Sequence, residues 1–306
     1  MTAEKSSSSN YQCGFASIIG RPNVGKSTLL NSLVGQKISI TSRKPQTTQR
    51  RITGIYTEPG SQVIYVDTPG LQSRYKDALN QYMKKEINGA LVQIDAVVFV
   101  IEALKWTEAD EAILTLIKNT DTPVILVVNK IDKLNDKTAL LPFLTDISSK
   151  REFNKIIPIS ARKRSQLAEL QQAIKKLMPP GPPHFPDEQV SDKSVRFMAA
   201  EFIREKLINS LGKEVPYKLT VSIEKFTESL EGIEIDAIIW VESNSQKSIV
   251  IGKDGKVLKS AGERARKDIQ NLLDKKVYLR SWVKVRKNWT RDNSALEALG
   301  FELSEN

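Results

Sequence analysis

The chain has 306 residues, a formal net charge of +10 and 40% hydrophobic residues, which suits a soluble protein of roughly two domains, each with its own core. One cysteine, Cys13, excludes an internal disulfide framework and fits a reducing cytoplasm. One histidine, His184, excludes a zinc cluster or a histidine-based hydrolase site, and no run reaches the roughly 18 apolar residues of a membrane-spanning helix.

Residues 1–10 hold four consecutive serines and no apolar core, so they read as a disordered tail and not a signal peptide. A short apolar strand, Phe15 to Ile19, runs into Gly20-Arg21-Pro22-Asn23-Val24-Gly25-Lys26-Ser27, which has Walker A spacing. A helical pattern follows at Thr28, Leu29, Leu30 and Leu33. In such a loop the backbone N–H groups of Asn23 to Thr28 wrap phosphates, Lys26 supplies a point charge and Ser27 a hydroxyl for magnesium. Next, Gln46-Thr47-Thr48-Gln49-Arg50 is the candidate switch segment. Arg51 to Thr57 and Gln62 to Val66 flank the turn Glu58-Pro59-Gly60-Ser61, predicting a hairpin with one antiparallel edge strand. Asp67-Thr68-Pro69-Gly70 closes that strand, where a magnesium-side carboxylate and a glycine amide for the γ-phosphate are needed.

The apolar run Pro123 to Val128 predicts a buried parallel strand with Asn129-Lys130-Ile131-Asp132 at its carboxyl end. A carboxylate such as Asp132 accepts both the N1–H and N2–H donors of guanine, which adenine lacks, so this stretch favours GTP over ATP. Ser160-Ala161, after Ile156 to Ile159, supplies a further loop whose backbone could reach the base. A helical pattern at Leu167, Leu170, Ile174 and Leu177 ends at Met178-Pro179-Pro180-Gly181-Pro182-Pro183, a stiff extended connector. The predicted organisation is an α/β P-loop domain at 11–178, mostly parallel with that one antiparallel edge, a Pro-rich linker at 179–190, and a second domain.

From Val195 on, the order is helix, two strands, two helices, strand, expected at 191–289. Ile249-Val250-Ile251 precedes Gly252-Lys253-Asp254-Gly255-Lys256, a Gly-x-x-Gly turn of the kind with which an α+β KH module, here type II, clamps a nucleic-acid backbone. A plain inter-helix turn is the alternative. Between Lys247 and Arg291 lie 14 basic and 4 acidic residues, a net +10 equal to that of the whole chain. That concentration suits RNA phosphates. Ile249 and Ile251 are groove candidates that read more readily as core; Trp282 and Trp289 could stack bases, although a strand tryptophan such as Trp282 is more often packed inside. Residues 290–306 read as an acidic, mobile or partner-binding tail.

The ordered motifs resemble the translation-factor-related GTPases, and GRPNVGKS resembles the Era, Der and MnmE group. A G domain joined to a KH module resembles the Era family across nearly all of residues 11–289, including Lys44-Pro45-Gln46-Thr47-Thr48, Glu263-Arg264-Ala265-Arg266-Lys267-Asp268 and Trp282-Val283-Lys284-Val285. The resemblance implies GTP hydrolysis and small (30S) subunit assembly, with the KH module bound to the 3′ end of 16S ribosomal RNA. It implies magnesium held by Ser27, Asp67 and a switch threonine, Thr48 favoured over Thr47, with Lys26, Thr48 and the Gly70 amide acting on the phosphates. GTP or GDP would contact Asn23 to Thr28, Asp67, Thr68, Pro69, Gly70, Asn129, Lys130, Asp132, Ser160 and Ala161. RNA would contact Gly252, Lys253, Asp254, Gly255 and Lys256. Leu71 stands where Ras-like enzymes keep a water-orienting glutamine and Gln72 comes one position late, so intrinsic turnover is expected at about 10⁻⁴ to 10⁻³ per second or modestly above. Asn23 has two readings, a potassium ligand or a loop-stabilising side chain. The expected protein is a cytoplasmic monomer with peripheral membrane contact left open. The rival is a membrane-surface or RNA adaptor that binds GTP with little turnover.

Overall fold

The computed structural model describes residues 11–301 apart from 43, 45, 46, 71–76, 119, 213 and 214. The expectations for Pro45, Gln46, Leu71, Gln72 and residues 1–10 lie outside the described residues. Two compact units emerge, one of Met1–Ile38, Arg51–Ser73 and Glu86–Asp192, the other of Ser39–Arg50, Arg74–Lys85 and Lys193–Asn306. The contiguous first domain expected at 11–178 is thus interrupted by two segments that cluster with the C-terminal unit.

In the first unit six strands order as β2-β3-β1-β4-β5-β6. They are β1 (Gln12–Ile19), β2 (Ile52–Glu58), β3 (Ser61–Asp67), β4 (Ala96–Glu102), β5 (Val124–Asn129) and β6 (Lys155–Pro158). Only β2 is antiparallel, through its hairpin with β3. β4 and β5 are near-continuous runs of Val, Ile, Leu and Phe because helices cover both faces of a parallel sheet. On one side α3 (Glu108–Ile117) and α4 (Leu140–Ser148) place Ile113, Leu114, Ile117 and Ile147 against Val97, Phe99, Leu126 and Val128. On the other, α1 (Lys26–Val34) packs with α5 (Leu167–Lys175). Parallel strands end on the same side, so the segments after Ile19, Asp67, Glu102, Asn129 and Pro158 gather at one rim.

The Pro-rich connector lies along this unit. The amide of Cys13 donates to the Pro179 carbonyl (3.0 Å), and Gly181 donates to Tyr11 (2.9 Å). Gln62 Oε1 accepts from the amides of His184 (2.8 Å) and Phe185 (3.0 Å). Prolines lack an N–H, so the linker is held chiefly through its carbonyls and its few non-proline amides.

The second unit has a three-stranded sheet ordered β7-β8-β9: β7 (Leu219–Ser229) antiparallel to β8 (Gly232–Val241), and β8 parallel to β9 (Val277–Val285). The parallel pair needs a crossover, supplied by α7 (Asn244–Ile251) and α8 (Lys256–Leu273). Ser243 caps α7 by accepting from the Gln246 amide, and Ser194 caps α6 (Val195–Ser210) by accepting from Phe197. On α8 the buried positions are Ala261, Ala265 and Ile269, one face at a spacing of four, and the basic residues lie outside it.

Past Trp289 the chain continues packing, which corrects the mobile-tail expectation for residues 290–301. Helix α9 (Asn293–Ala298) brings Leu296 and, beyond it, Leu299 and Phe301 into a cluster with Trp289, Tyr82 and Met83 of α2 (Ala78–Gly89), and Trp240 packs against it. Trp289 is fully buried, so the base-stacking expectation for it falls. The acidic composition concealed a short apolar stripe, Ala295, Leu296 and Leu299, at helical spacing.

Thr41, Ser42 and Lys44, just before the candidate switch segment, and Thr47 within it are held on α6 in this unit. Glu205 accepts from the Thr41 amide (2.8 Å), Ser42 donates to Asn209 (2.7 Å) and Lys44 Nζ donates to the Ile208 carbonyl (2.5 Å). Arg204, fully buried and paired with Glu201 at 2.7 Å, donates to the Thr47 carbonyl. These partners lie more than 150 positions from the segment, so no local pattern announces them.

Candidate nucleotide site and RNA-facing surface

Between β1 and α1 the loop turns through left-handed backbone at Asn23 (φ 66°) and Gly25 (φ 105°). At Gly25 an added Cβ would stand 2.4 Å from Asn129 Nδ2, so glycine is required there for space as well as conformation. No side chain caps α1, and the amides at a helix N-terminus point towards the place where an anion binds. Asn23 is exposed, and asparagine tolerates the left-handed region, so its loop-shaping role has a conformational basis.

Lys26 is buried, and Nζ donates to the carbonyls of Gly20 (2.8 Å) and Arg21 (3.2 Å). Burial drags its pKa down to about 8, against the opposing pull of Asp67. Ser27 Oγ lies 2.8 Å from Asp67 Oδ2, and Asp67 is fully buried. Two hard oxygen donors side by side fit magnesium, which takes few carboxylates together with phosphate oxygens. Thr68 donates to the Ile18 carbonyl (3.1 Å), pinning the end of β3 to β1. Gly70 is buried against Pro22 of the phosphate loop. Thr48 is buried in the C-terminal unit's segment 39–50.

Asn129 links three loops: Nδ2 donates to the Val24 carbonyl (2.8 Å), and Oδ1 accepts from the amides of Lys130 (2.7 Å) and Ala161 (3.0 Å). Ser160 Oγ donates to Asp132 Oδ1 (2.5 Å). Ser160 and Ala161 therefore brace Asp132 and Asn129, and the Ala161 amide, part of the backbone expected to reach the base, is engaged by Asn129. Lys130 bridges the Asn23 carbonyl (2.5 Å) and Glu102 (2.8 Å).

Glu102, Arg21 and Asp110 were not singled out by motif reasoning. Glu102 receives both Lys105 and Lys130 at 2.8 Å. Burial alone would raise its pKa, yet those two hydrogen bonds outweigh it and hold the carboxyl at about 2. Arg21 pairs with fully buried Asp110 at 3.0 Å, tying the phosphate loop to α3. A position at the carboxyl end of a parallel strand, as Glu102 is, was the available signal.

In the C-terminal unit α7 ends at Gly252 (φ 74°) and α8 starts after Gly255 (φ 71°). A Cβ at Gly252 would meet Val257 at 2.4 Å. Lys253, Asp254 and Lys256 are exposed, and the Lys256–Asp254 pair at 3.7 Å is open to solvent and weak. The core reading of Ile249 is overturned, because Val250 is the buried residue and Ile249 stands 49% exposed beside the turn. Trp282, expected inside, is 47% exposed. Odd-numbered residues of β9 face the helices, so parity puts Trp282 on the other face.

A P-loop on a mostly parallel sheet, with Asn129 and Asp132 at the end of β5, on one chain with a KH fold, defines a GTPase of the RNA-binding class. A family model for 50S ribosome-binding GTPases matches residues 15–130 and a KH-domain model matches 214–290. GTPase Era of Coxiella burnetii (strain Dugway 5J108-111) is 52% identical over 95% of this chain and 98% of its own length. GTPase Era of Marinobacter nauticus is 49% identical over 95% of each. Two solved structures are similar at 38% identity and a TM-score of 0.92. One, an Aquifex aeolicus Era variant bound to GDP.AlF4-, covers 95% of this chain. The other, Era with MgGDPNP and nucleotides 1506–1542 of 16S ribosomal RNA, covers 96%; both are matched over 100% of their own length. The chain belongs to the Era GTPase family.

Proposed function

We propose that this GTPase binds the 3′ region of 16S ribosomal RNA through its KH unit and uses GTP to time an assembly step of the 30S subunit. The observation that carries the reading is the Gly252–Gly255 turn, with its left-handed glycines and exposed lysines, in a chain so similar to an Era solved with that RNA and MgGDPNP. Cytoplasmic residence follows from such a partner, and the expected state is a monomer. No described helix is long and apolar enough to cross a membrane, and peripheral contact has only the basic window in its favour.

GTP would lie with its phosphates on the amides of Asn23 to Thr28 and beside Gly70, and its base against Asp132, braced by Ser160. Magnesium would be held by Ser27 and Asp67, with Thr48 as the switch oxygen, and would neutralise charge on the phosphate oxygens. Lys26, charged once phosphate arrives, stabilises the transferred group, and Gly70 offers its amide. Catalysis is by position and electrostatics, so unassisted turnover is slow. A rate unchanged on replacing potassium by sodium would remove the cation role of Asn23.

Coupling between nucleotide and RNA would run through residues 39–50. That segment is held by Glu205, Arg204 and Asn209 of α6, and α6 packs on α8, the helix that begins at the RNA turn. Ordering the segment around nucleotide would redistribute these bonds, and reciprocity makes RNA tighten GTP binding by the same factor. Crosslinking of bound RNA in cells tests the assignment: enrichment on transfer RNA instead of the 16S 3′ terminus would redirect it. Equal RNA affinity with GDP and GDPNP would defeat the coupling.

A further inference from the structure

The outer face of the KH sheet has an aromatic and basic strip that the Gly-x-x-Gly clamp does not use. Strand alternation puts Tyr278, Arg280, Trp282 and Lys284 of β9 on that face, while Val277 and Val283 are buried towards the helices. Trp282 and Tyr278 are 47% and 42% exposed, and beside Trp282 in register lies Ile238, only 2% exposed. The acids of the face are already countered: Arg280 holds Asp236 at 2.7 Å and Lys225 holds Glu234 at 2.6 Å. A cation flanks Tyr278, with Lys276 Nζ 4.8 Å from its ring centroid, and Lys284 Nζ lies 5.9 Å from the centroid of the neighbouring Trp240. Towards Trp240 the C-terminal cluster packs against the sheet.

We propose that this strip is a second contact for single-stranded RNA, on which bases of the strand leaving the Gly-x-x-Gly groove stack against Trp282 and Tyr278. Three observations favour RNA over a protein partner. The rings alternate with cations along one strand, as a chain of bases and phosphates requires. The strip lies inside the window of net charge +10. It also belongs to the sheet's edge strand, against which α7, the helix leading into the clamp, is packed, so a strand in the groove needs only to round that edge. Tyr278 and Trp282 are about 13 Å apart along the strand, so each ring takes its own base.

This inference rests on the RNA-binding reading, and its test separates the two. Full-length protein with GDPNP is titrated with an RNA of about four nucleotides, the span of a KH groove, and with a 3′-terminal RNA about three times as long. Trp282→Ala should weaken the long RNA about tenfold and leave the short one unchanged, with Trp282→Phe recovering most of the loss. Quenching of tryptophan emission by the long RNA should shrink in Trp282→Phe. Equal affinity of Trp282→Ala and the parent for both RNAs overturns the strip, as does an equal loss on both. Unchanged RNA binding with reduced retention on 30S particles would assign the strip to a protein and likewise overturn it. Failure of the parent protein to bind either RNA would instead overturn the RNA reading itself.

Discussion

Lys26 makes nucleotide affinity depend on pH in a way the geometry sets. Without nucleotide it is buried against two loop carbonyls with a pKa of about 8. Phosphate oxygens beside it would favour the charged form and return the group towards its ordinary value, about 10.4. Binding then takes up a proton above pH 8, so affinity is full below the free-state pKa and falls as pH rises through it. From pH 7.5 to 9 the protonated fraction of the free protein drops by about eightfold, equivalent to about 1.2 kcal/mol. GDP avoids complication from the γ-phosphate, and calorimetry in buffers of different ionisation enthalpy would report both the affinity and the proton uptake. Lys26→Met should bind more weakly at every pH, with that dependence abolished. A flat affinity between pH 7.5 and 9, or the same fall in Lys26→Met, would refute the reasoning.

Three further outcomes follow from the geometry. Asp132→Asn replaces an acceptor of two guanine N–H groups by an amide and should weaken GDP by at least about 2 kcal/mol, roughly thirtyfold; xanthine nucleotides, with oxygen at C2, should regain part of that in a competition assay. Glu102→Gln weakens the hold on Lys130, and a chase of fluorescent GDP should show release about fivefold faster, near 1 kcal/mol for a partly exposed pair. Trp289→Ala empties a fully buried site in the C-terminal cluster, costing about 3 to 5 kcal/mol in denaturant unfolding of the KH unit; an unchanged midpoint would restore the mobile-tail reading.

Much of the nucleotide site was legible in the chain because its parts are local. A loop needing glycine at Gly25 and a lysine one residue on is written in consecutive letters, and apolar runs such as Val124 to Val128 announce buried parallel strands whose ends point the next residues at a common rim. The KH order of elements was readable for the same reason. Side-chain partners were not. That Ser160 and Ala161 brace Asp132 and Asn129, or that Glu102 anchors Lys130, depends on strands far apart in sequence lying side by side. Trp282 and Trp289 came out opposite to expectation: residue type predicts a preference for burial, but β9's parity turns Trp282 to the open face, while Trp289, a candidate for base stacking, is buried where α9 folds back. The clustering of residues 39–50 with α6 through Glu205 and Arg204 likewise arises from contacts across more than 150 positions. Periodicity within a window reports local conformation and cannot reveal which distant surface will close over it.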